Sequence, residues 1–390
     1  MIPEGWRVEQ VSDVLEIDNT KRKPISAEDR AKMAGQFPYY GPTQAQGWID
    51  HYTYDGRYCL IGEDGDHFLK YRTLSMTQLV DGKFNVNNHA HAIKGTKACE
   101  ADWFYYCFQN RDLGQHLTRQ GAKRYKLTKA SLEKIPLLVP PITERAKIIS
   151  ILSTWDRAIE TLEALIANAR AQKRAMMQSL PTGKKRLPGF SGTWARAAIG
   201  DVAVEVSERA GDQIDMPVLS CSKHDGIVLS LTYFKKKVYS DDISNYKVMR
   251  RGAFGFPSNH VEEGSIGYQD ICDAGIVSPI YCVFRSNGSI DDSFLYKLLK
   301  TDRCRQIFAA ATNASVDRRG SLRWKEFSKI EIPLPPFEEQ KAISEAIDAA
   351  DGGERAYARQ LTALKKEKSA LMQQLLTGKR RVKVDEREAT

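Results

Sequence analysis

The segment from Lys329 to Gln340 reads Lys-Ile-Glu-Ile-Pro-Leu-Pro-Pro-Phe-Glu-Glu-Gln, and the segment from Lys134 to Arg145 reads Lys-Ile-Pro-Leu-Leu-Val-Pro-Pro-Ile-Thr-Glu-Arg. In both, a short apolar run leads through a Pro-Pro pair into a long stretch with helical periodicity. These stretches end at Thr182-Gly183-Lys184 and at Thr377-Gly378-Lys379, so every anchor recurs 195 positions later without a gap. A repeat with a fixed period is strong evidence about fold, and it predicts a duplicated, two-fold-like protein.

The repeat extends backwards more weakly. Trp6 matches Trp194 at an offset of 188, and Phe104 matches Phe294 at an offset of 190. Because the offset drifts and then becomes constant, each half is interpreted as a diverged globular domain followed by a strictly repeated helix. A chain of 390 residues is long enough for two such domains. The predicted segments are a first domain (1–140), a central helix (141–185), a second domain (186–335), a C-terminal helix (336–380) and a tail (381–390).

Apolar residues in each long stretch recur at alternating spacings of three and four, which is typical of a coiled-coil seam. A helix of about 40 residues is roughly 60 Å long. Acidic first turns and basic ends favour antiparallel pairing of the two helices, and the alternative is a helix buried in its own domain. Lys173 and Lys368 interrupt the seam at equivalent places. The predicted seam residues are Ile148, Leu152, Trp155, Ile159, Leu162, Ile166, Ile343, Ile347, Tyr357, Leu361, Leu364 and Leu371.

Each globular half is predicted to be α+β. In the first, short apolar runs broken by turn residues indicate strands over 37–95, and a helix is predicted over 101–118. The second half repeats this order, with strands over 214–285 and a helix over 291–310.

The chain is basic, with a net charge of +9 and a pI near 9.0, which favours a polyanionic partner. Basic residues occur in clusters, and Lys123-Arg124 aligns with Arg318-Arg319 at the offset of 195. Paired basic side chains can hold phosphates, and the alternative is a solvated loop. The DNA-binding candidates are Lys21, Arg22, Lys23, Arg119, Gln120, Lys123, Arg124, Lys235, Lys236, Lys237, Arg318 and Arg319.

Three carboxylates, Glu63, Asp64 and Asp66, crowd beside His67 and could serve a metal-dependent nuclease. The corresponding stretch of the second half, 256–260, has no matching acids, so an acidic turn is the preferred interpretation. His89 and His91 have the spacing of one strand face, but no third ligand follows nearby. Phosphate-loop, dinucleotide-binding and paired-cysteine signatures are absent. We therefore expect no catalytic residue, metal or cofactor in this chain.

Seven cysteines without regular spacing are expected to be reduced thiols. The N-terminus lacks an apolar signal core, and the sequence has no apolar run of about 18 residues. We expect a cytoplasmic protein.

At this point the chain resembles the specificity (S) subunit of Type I restriction-modification systems. The resemblance is carried by Ile332-Pro-Leu-Pro-Pro336 with Glu339-Gln340, and by the opening Pro3-Glu-Gly-Trp6. Two shorter segments are also similar to turns that are common in such recognition domains: Ile61-Gly-Glu-Asp-Gly65 and Val277-Ser-Pro279. The first copy departs from the pattern at Leu137-Leu-Val-Pro-Pro141 with Glu144-Arg145, and Gly192-Thr-Trp194 matches the opening only in part.

The resemblance implies two target-recognition domains that each read one half of an asymmetric bipartite site in double-stranded DNA. It implies that the helices set the spacing and dock two methyltransferase subunits, which would bind S-adenosylmethionine. ATP-driven cleavage would belong to separate restriction subunits. Two other hypotheses stay open: an autonomous metal-dependent nuclease, and a coiled-coil scaffold that binds only protein.

Overall fold

The computed structural model describes residues 2–120, 124–211, 215–313 and 321–383, with the backbone alone at Gln120, Arg124 and Asn313. The chain forms two compact units. Unit 1 comprises Met1–Leu162 and Gln360–Thr390, and unit 2 comprises Glu163–Arg359. The division falls inside both long helices, so each unit contains part of each.

Unit 1 is a strand-rich domain with small helices. Its strands are β1 (Arg7–Gln10), β2 (Leu15–Ile17), β3 (Ala34–Tyr40), β4 (Ala45–Ile49), β5 (Tyr54–Asp55), β6 (Tyr58–Gly62), β7 (Thr77–Val80), β8 (Lys83–Val86), β9 (Ala90–Gly95), β10 (Thr118–Gln120), β11 (Arg124–Lys126) and β12 (Pro136–Val139). Its short helices are α1 (Val11–Val14), α2 (Ala27–Lys32), α3 (Ala101–Phe108) and α4 (Lys129–Glu133). The strands form two four-stranded sheets, β2-β9-β6-β7 and β4-β3-β8-β5, with the pairs β1-β12 and β10-β11.

Unit 2 repeats the plan. Its strands are β13 (Ala195–Ala198), β14 (Ala203–Glu205), β15 (Leu219–Ser222), β16 (Gly226–Leu229), β17 (Lys247–Arg250), β18 (Phe254–Pro257), β19 (Gly267–Tyr268), β20 (Ala274–Val277), β21 (Tyr281–Ser286) and β22 (Glu331–Leu334). Its helices are α6 (Ile199–Val202), α7 (Ser230–Phe234), α8 (Asp292–Leu299), α9 (Asp302–Asn313) and α10 (Trp324–Phe327). One four-stranded sheet, β14-β21-β18-β19, is joined by the pairs β13-β22, β15-β16 and β17-β20.

In both units the first strand of the domain pairs with its last strand. In unit 1 the first strand pairs antiparallel with the last, Arg7 opposite Val139, and in unit 2 Ala195 lies opposite Leu334. These exit strands are the predicted apolar runs before the Pro-Pro pairs. Proline cannot donate to a strand ladder, so the pair ends each strand, and the carbonyls of Pro141 and Pro336 accept the first helical hydrogen bonds.

The long helices are α5 (Ile142–Ser179) and α11 (Phe337–Leu375). Each helix is followed by a short turn that contains a glycine with positive φ, +72° at Gly183 and +67° at Gly378. A side chain at Gly183 is doubly disfavoured, because its Cβ would lie 2.9 Å from the ring of Trp194.

Within each unit the two helices run antiparallel, as predicted. In unit 2 Arg170 pairs with Glu354 and Lys173 with Asp351, so the partner number falls as the α5 number rises. In unit 1 Lys368 of α11 pairs with Asp156 of α5. Of the predicted seam residues, Ile148, Leu152, Ile166, Ile343 and Ile347 are buried and the rest half-buried.

The two lysines that interrupt the seam are therefore internal partners. Lys173 and Asp351 stand in the same relation as Lys368 and Asp156, since each member lies 195 positions from its counterpart. The duplication thus repeats an ion pair as well as a helix.

Two helix predictions were wrong in extent. The helix predicted over 101–118 ends at Phe108, because the chain turns through Asp112, whose side chain accepts from the Gly114 N–H at 2.9 Å. The helix predicted over 291–310 is two helices. The Thr301 hydroxyl accepts from the Cys304 N–H and so begins α9 anew.

Each unit has its own apolar core. The largest cluster of unit 1 surrounds Trp103, Phe104 and Phe108 and includes Ile148 and Leu152 of α5. That of unit 2 surrounds Phe254, Phe284, Phe294 and Phe327, and includes residues from both long helices. Among the described residues, no helix is long and apolar enough to cross a membrane.

Candidate nucleic-acid interface

The hairpin β10-β11 carries one of the basic clusters of unit 1. Arg119 is exposed, and its guanidinium lies 5.5 Å from the centre of the Tyr125 ring, directly opposite in the ladder. Gln120 and Arg124 face each other in the same ladder. Lys123 lies outside the described residues. A two-stranded basic hairpin of this kind suits a nucleic-acid groove.

The acidic turn after β6 anchors this hairpin. The Glu63 carbonyl accepts from the Leu127 N–H at 2.7 Å, and the Gly65 N–H donates to the Tyr125 carbonyl at 3.1 Å. The Glu63 carboxylate lies 3.1 Å from the ammonium of Lys126. The turn therefore supports the base of the hairpin with both backbone and charge.

Glu63 also holds Arg22, whose guanidinium donates to its carboxylate at 2.5 Å and to the Ala90 carbonyl at 3.0 Å. Burial raises the pKa of the Glu63 carboxyl, but the hydrogen bonds from Arg22 and Lys126 outweigh it. The net effect is a lowered pKa, so the carboxylate is charged at neutral pH. A carboxylate engaged by two cations is poorly placed to ligate a metal ion.

The two histidines have different surroundings. His91 is buried, and its Nε2 lies 2.8 Å from the Leu127 carbonyl and its Nδ1 2.9 Å from the Asn19 amide nitrogen. The neutral tautomer protonated at Nε2 satisfies both contacts, and burial lowers the pKa of the ring. His89 instead lies 2.9 Å from the Asp64 carboxylate. Glu63, Asp64, His89 and His91 are thus engaged in structural contacts, and the geometry does not support the nuclease hypothesis.

The cluster at 21–23 divides by role. Arg22 is held internally, whereas Lys21 and Lys23 are exposed. The Lys23 backbone is fixed, because its N–H donates to Val86 and its carbonyl accepts from the Tyr39 hydroxyl at 2.6 Å. Two exposed lysines thus flank a half-buried, internally paired arginine, and only the lysines are free as phosphate-binding groups must be.

In unit 2 Lys235, Lys236 and Lys237 are all exposed immediately after α7. Lys237 pairs with Asp241, while Lys235 ends the helix in a left-handed conformation with φ of +54°. Arg318 and Arg319, the predicted equivalents of Lys123 and Arg124, lie outside the described residues.

One group with potential metal ligands occurs in the described part of the chain: His260, Glu262 and Glu263, with ligand atoms within 4.8 Å of one another. His260 and Glu263 are exposed and lie 3.4 Å apart. Glu262 and Glu263 lie just beyond residues 256–260, the stretch that has no acids matching those of the first half. Exposed surface groups of this kind are ordinary ion pairs, and the arrangement supplies no enclosed site.

The most regular polar feature was not anticipated from sequence. In unit 1 the Glu144 carboxylate accepts from the Trp6 indole at 2.9 Å and from Arg381 at 2.6 and 2.8 Å. In unit 2 Glu339 accepts from the Trp194 indole at 2.9 Å and from Arg186 at 2.5 and 2.7 Å.

We call each of these groups a Trp-Glu-Arg clamp. In each clamp the tryptophan directly precedes the first strand of its unit, the glutamate lies in the first turn of one long helix, and the arginine follows the end of the other long helix. All three residue types recurred in the sequence, but only folding brings them together.

The comparisons with known proteins agree with this architecture. A family model described as "Type I restriction modification DNA specificity domain" matches residues 3–169 and 210–365. A putative type I restriction enzyme specificity subunit of Haemophilus influenzae is 35% identical over 151 residues, which is 38% of this chain and 37% of that protein. The type I restriction enzyme MjaVIII specificity subunit of Methanocaldococcus jannaschii is 21% identical, covering 98% of this chain and 94% of that one.

Solved structures share the fold. A type I restriction-modification S subunit from M. genitalium superposes with a TM-score of 0.58 at 14% identity, covering 96% of each chain. An HsdS subunit from Thermoanaerobacter tengcongensis gives 0.51 at 16% identity, covering 97% of this chain and 98% of that one. With two matched domains spanning most of its length, the chain belongs to the family of Type I restriction-modification DNA specificity subunits.

Proposed function

We propose that this chain is the sequence-reading subunit of a Type I complex, and that each domain reads one half of an asymmetric bipartite target in double-stranded DNA. The observation that carries this is the contrast between what repeats and what does not. The clamps, the exit strands and the helix ion pairs recur at equivalent positions, whereas Lys21–Lys23 and Lys235–Lys237 occupy unrelated places in their domains. Two different reading surfaces on one repeated frame suit two different half-sites.

The long helices would act as the spacer and as the docking surface for two modification subunits. Equivalent surfaces favour equivalent partners, and the first residue of each helix, Ile142 and Phe337, is an exposed apolar side chain. An apolar residue exposed at the same place twice is consistent with two copies of one partner.

The chemistry would belong to the partners. Methyl transfer needs S-adenosylmethionine on the modification subunits, and ATP-driven cleavage needs restriction or translocase subunits. This chain would make no bond itself, and its work on genomic DNA would place it in the cytoplasm.

The decisive experiment compares the methylated bases of cells with and without this protein. We expect one bipartite methylated motif to vanish on deletion and to return when the chain is expressed again. Unchanged methylation alongside an expressed, intact modification subunit would contradict the proposed function.

The spacer role has its own test. Four residues inserted at matched positions of α5 and α11 lengthen each helix by about 6 Å, close to two base-pair steps at roughly 3.4 Å. We expect the two half-sequences to stay the same while the distance between them increases. A changed half-sequence with unchanged spacing would contradict the proposal that the helices set the spacing between the half-sites. The control carries the same four residues in the tail after Lys383.

A further inference from the structure

The most concentrated exposed apolar surface of the described chain lies beside the three lysines of unit 2. Residues 229–238, here called the wedge segment, contain five exposed large apolar side chains. These are Leu229, Leu231, Tyr233, Phe234 and Val238. Exposed apolar clusters of this kind mark interaction surfaces more often than ordinary surface.

The wedge segment is exposed but held in place. The Ser230 N–H donates to the Val218 carbonyl at 2.9 Å, and the Tyr233 hydroxyl donates to Asp225 at 2.8 Å. Ser230 is buried, so its side of α7 packs against the rest of unit 2. Leu231 and Phe234, three apart, are 56% and 40% exposed. The helix thus presents one apolar face to solvent from a fixed base.

The lysine that ends α7 is conformationally unusual. Lys235 is the only non-glycine residue with positive φ in the described ranges, and its N–H closes the helix on the Leu231 carbonyl at 3.0 Å. Glycine is more stable than lysine in this conformation. Retaining a strained side chain at such a position points to a use for the side chain.

The charge of the segment favours one class of partner. Lys235 and Lys236 follow directly after the apolar face, both are exposed, and neither side chain has a hydrogen-bond or ion-pair partner among the described residues. A protein or lipid surface could cover apolar side chains, but two adjacent lysines with unpaired side chains complement a phosphate backbone. Apolar side chains that enter a DNA groove beside phosphate-binding lysines are a known mode of DNA recognition.

We propose that the wedge segment is a DNA contact of the second domain, with Leu231 and Phe234 packing against base or sugar edges in a groove while Lys235 and Lys236 hold the flanking phosphates. This inference rests on the proposed function and names apolar residues that a search for basic clusters does not find. It also separates the roles: the apolar face would contribute to specificity for one half-site, and the lysines would contribute affinity for any sequence.

The test uses the full chain in complex with its modification subunits. The probes are a duplex carrying the bipartite motif read from the methylated genome, a duplex with only the second half-site scrambled, and a random duplex. Binding is measured over a range of salt concentrations. The variants are Phe234→Ala, Leu231→Ala and Lys235→Gly. The controls are Ile271→Ala, an exposed apolar residue elsewhere in unit 2, and Lys329→Ala, which changes the net charge equally.

Phe234→Ala and Leu231→Ala should each weaken binding to the intact target by about tenfold and leave the salt dependence unchanged. Binding to the duplex with the scrambled half-site should change little. Lys235→Gly should lower the slope of log affinity against log salt by about one, with an unchanged or higher melting temperature. A purely structural role for Lys235 predicts weaker folding and an unchanged slope.

Wild-type affinity in folded Phe234→Ala and Leu231→Ala complexes would overturn the inference and leave the proposed function standing. Loss of a modification subunit instead of DNA affinity would overturn it in favour of a protein contact. A wild-type complex without preference for the intact target would overturn the proposed function itself, and the inference with it.

Discussion

At the scale of single residues, two glutamates connect the beginning of each domain to the end of a helix. Glu339 is fully buried, and its carboxylate accepts three hydrogen bonds, one from the Trp194 indole and two from Nε and Nη2 of Arg186. Glu144 has the same three contacts with Trp6 and Arg381. A buried carboxylate needs such partners, because an unpaired one would lose its hydration without compensation.

Removing one of these carboxylates should loosen the unit that contains it. We expect Glu339→Ala to lower the local stability of unit 2 by about 3 kcal/mol, because Arg186 and the Trp194 indole lose their acceptor. Hydrogen exchange of the backbone amides measures this unit by unit, and amides in 337–347 and 195–202 should exchange faster. The neighbouring Glu338→Ala, at an exposed position, is the matched control. Equal protection in the two variants would contradict a role for the clamp.

At the scale of elements, one of the two long helices carries a pair of adjacent glycines that the other lacks. α11 contains Gly352 and Gly353, where α5 has Arg157 and Ala158 at the equivalent positions. A Cβ added at either glycine would meet no atom within 4 Å, so close packing does not require them. Glycine inside a helix lowers its stability, and here two adjacent residues do so beside the ion pairs of Asp351 and Glu354.

Replacing Gly352 and Gly353 by alanine should therefore stabilise α11. The expected gain is about 1 kcal/mol for each, measured as slower hydrogen exchange across 345–360 and a higher melting temperature. Gly183→Ala is the informative contrast, since its positive φ and the nearby Trp194 ring predict a loss of stability. A lower melting temperature in the double alanine variant would show that Gly352 and Gly353 need a backbone conformation that alanine does not readily adopt.

The ion pair between the helices of unit 2 predicts an acid-dependent stability. The hydrogen bond from Lys173 outweighs burial and lowers the pKa of Asp351 below its ordinary value of 3.8. Burial lowers the pKa of Lys173, but Asp351 and Glu354 together outweigh it and raise the pKa above 10.5. At acid pH the unfolded chain binds more protons at Asp351, so the stabilisation is complete above pH 3.8 and is lost as pH falls through the lowered pKa.

The corresponding experiment is an acid titration of unfolding. Asp351→Asn should reduce stability at neutral pH and remove part of the loss that the wild-type protein shows as pH falls below 3.8. Asp348→Asn changes the same residue type one turn away and is a control, because Asp348 pairs with Lys297 instead. Parallel acid curves for wild type and Asp351→Asn would exclude the pair as a source of pH dependence.

At the scale of the whole molecule, the chain has a net charge of +9. Its effect on DNA affinity depends on which basic side chains are exposed and not paired with internal acids. Internal acids neutralise Arg22 and Lys126, while Arg119 and the lysines at 235 and 236 remain exposed. Electrostatic affinity for DNA depends on the number of phosphates neutralised, so only the exposed group should contribute to the salt dependence.

Replacing Lys123 and Arg124 together by alanine should weaken DNA binding and reduce the salt slope by up to about two. The Arg22→Ala variant is the contrast, since the loss of an internal partner of Glu63 should reduce stability more than the slope. Binding titrations at several salt concentrations and melting curves on the same samples separate the two effects. An unchanged slope for the double variant would remove these residues from the DNA interface.

Much of the frame was predictable because its signals are local. The Pro-Pro pairs, the turn glycines Gly183 and Gly378 that follow the long helices, and the heptad spacing each act over a few residues, so they can be read along the chain. The helix predicted over 101–118 was too long because apolar residues at Leu113 and Leu117 continue the pattern past a turn. Periodicity alone does not register the Asp112 turn that ends it.

The sequence by itself determined the duplicated plan: two α+β domains, two long helices and the antiparallel preference of their charges. Only the tertiary structure decided what the individual polar residues do. Glu63 supports a basic hairpin, Lys173 and Lys368 join the helices, and the clamps contain hydrogen bonds between residues up to 237 positions apart. The physical reason is that helix periodicity and capping are short-range, whereas the partner of a buried charge is set by how distant segments pack.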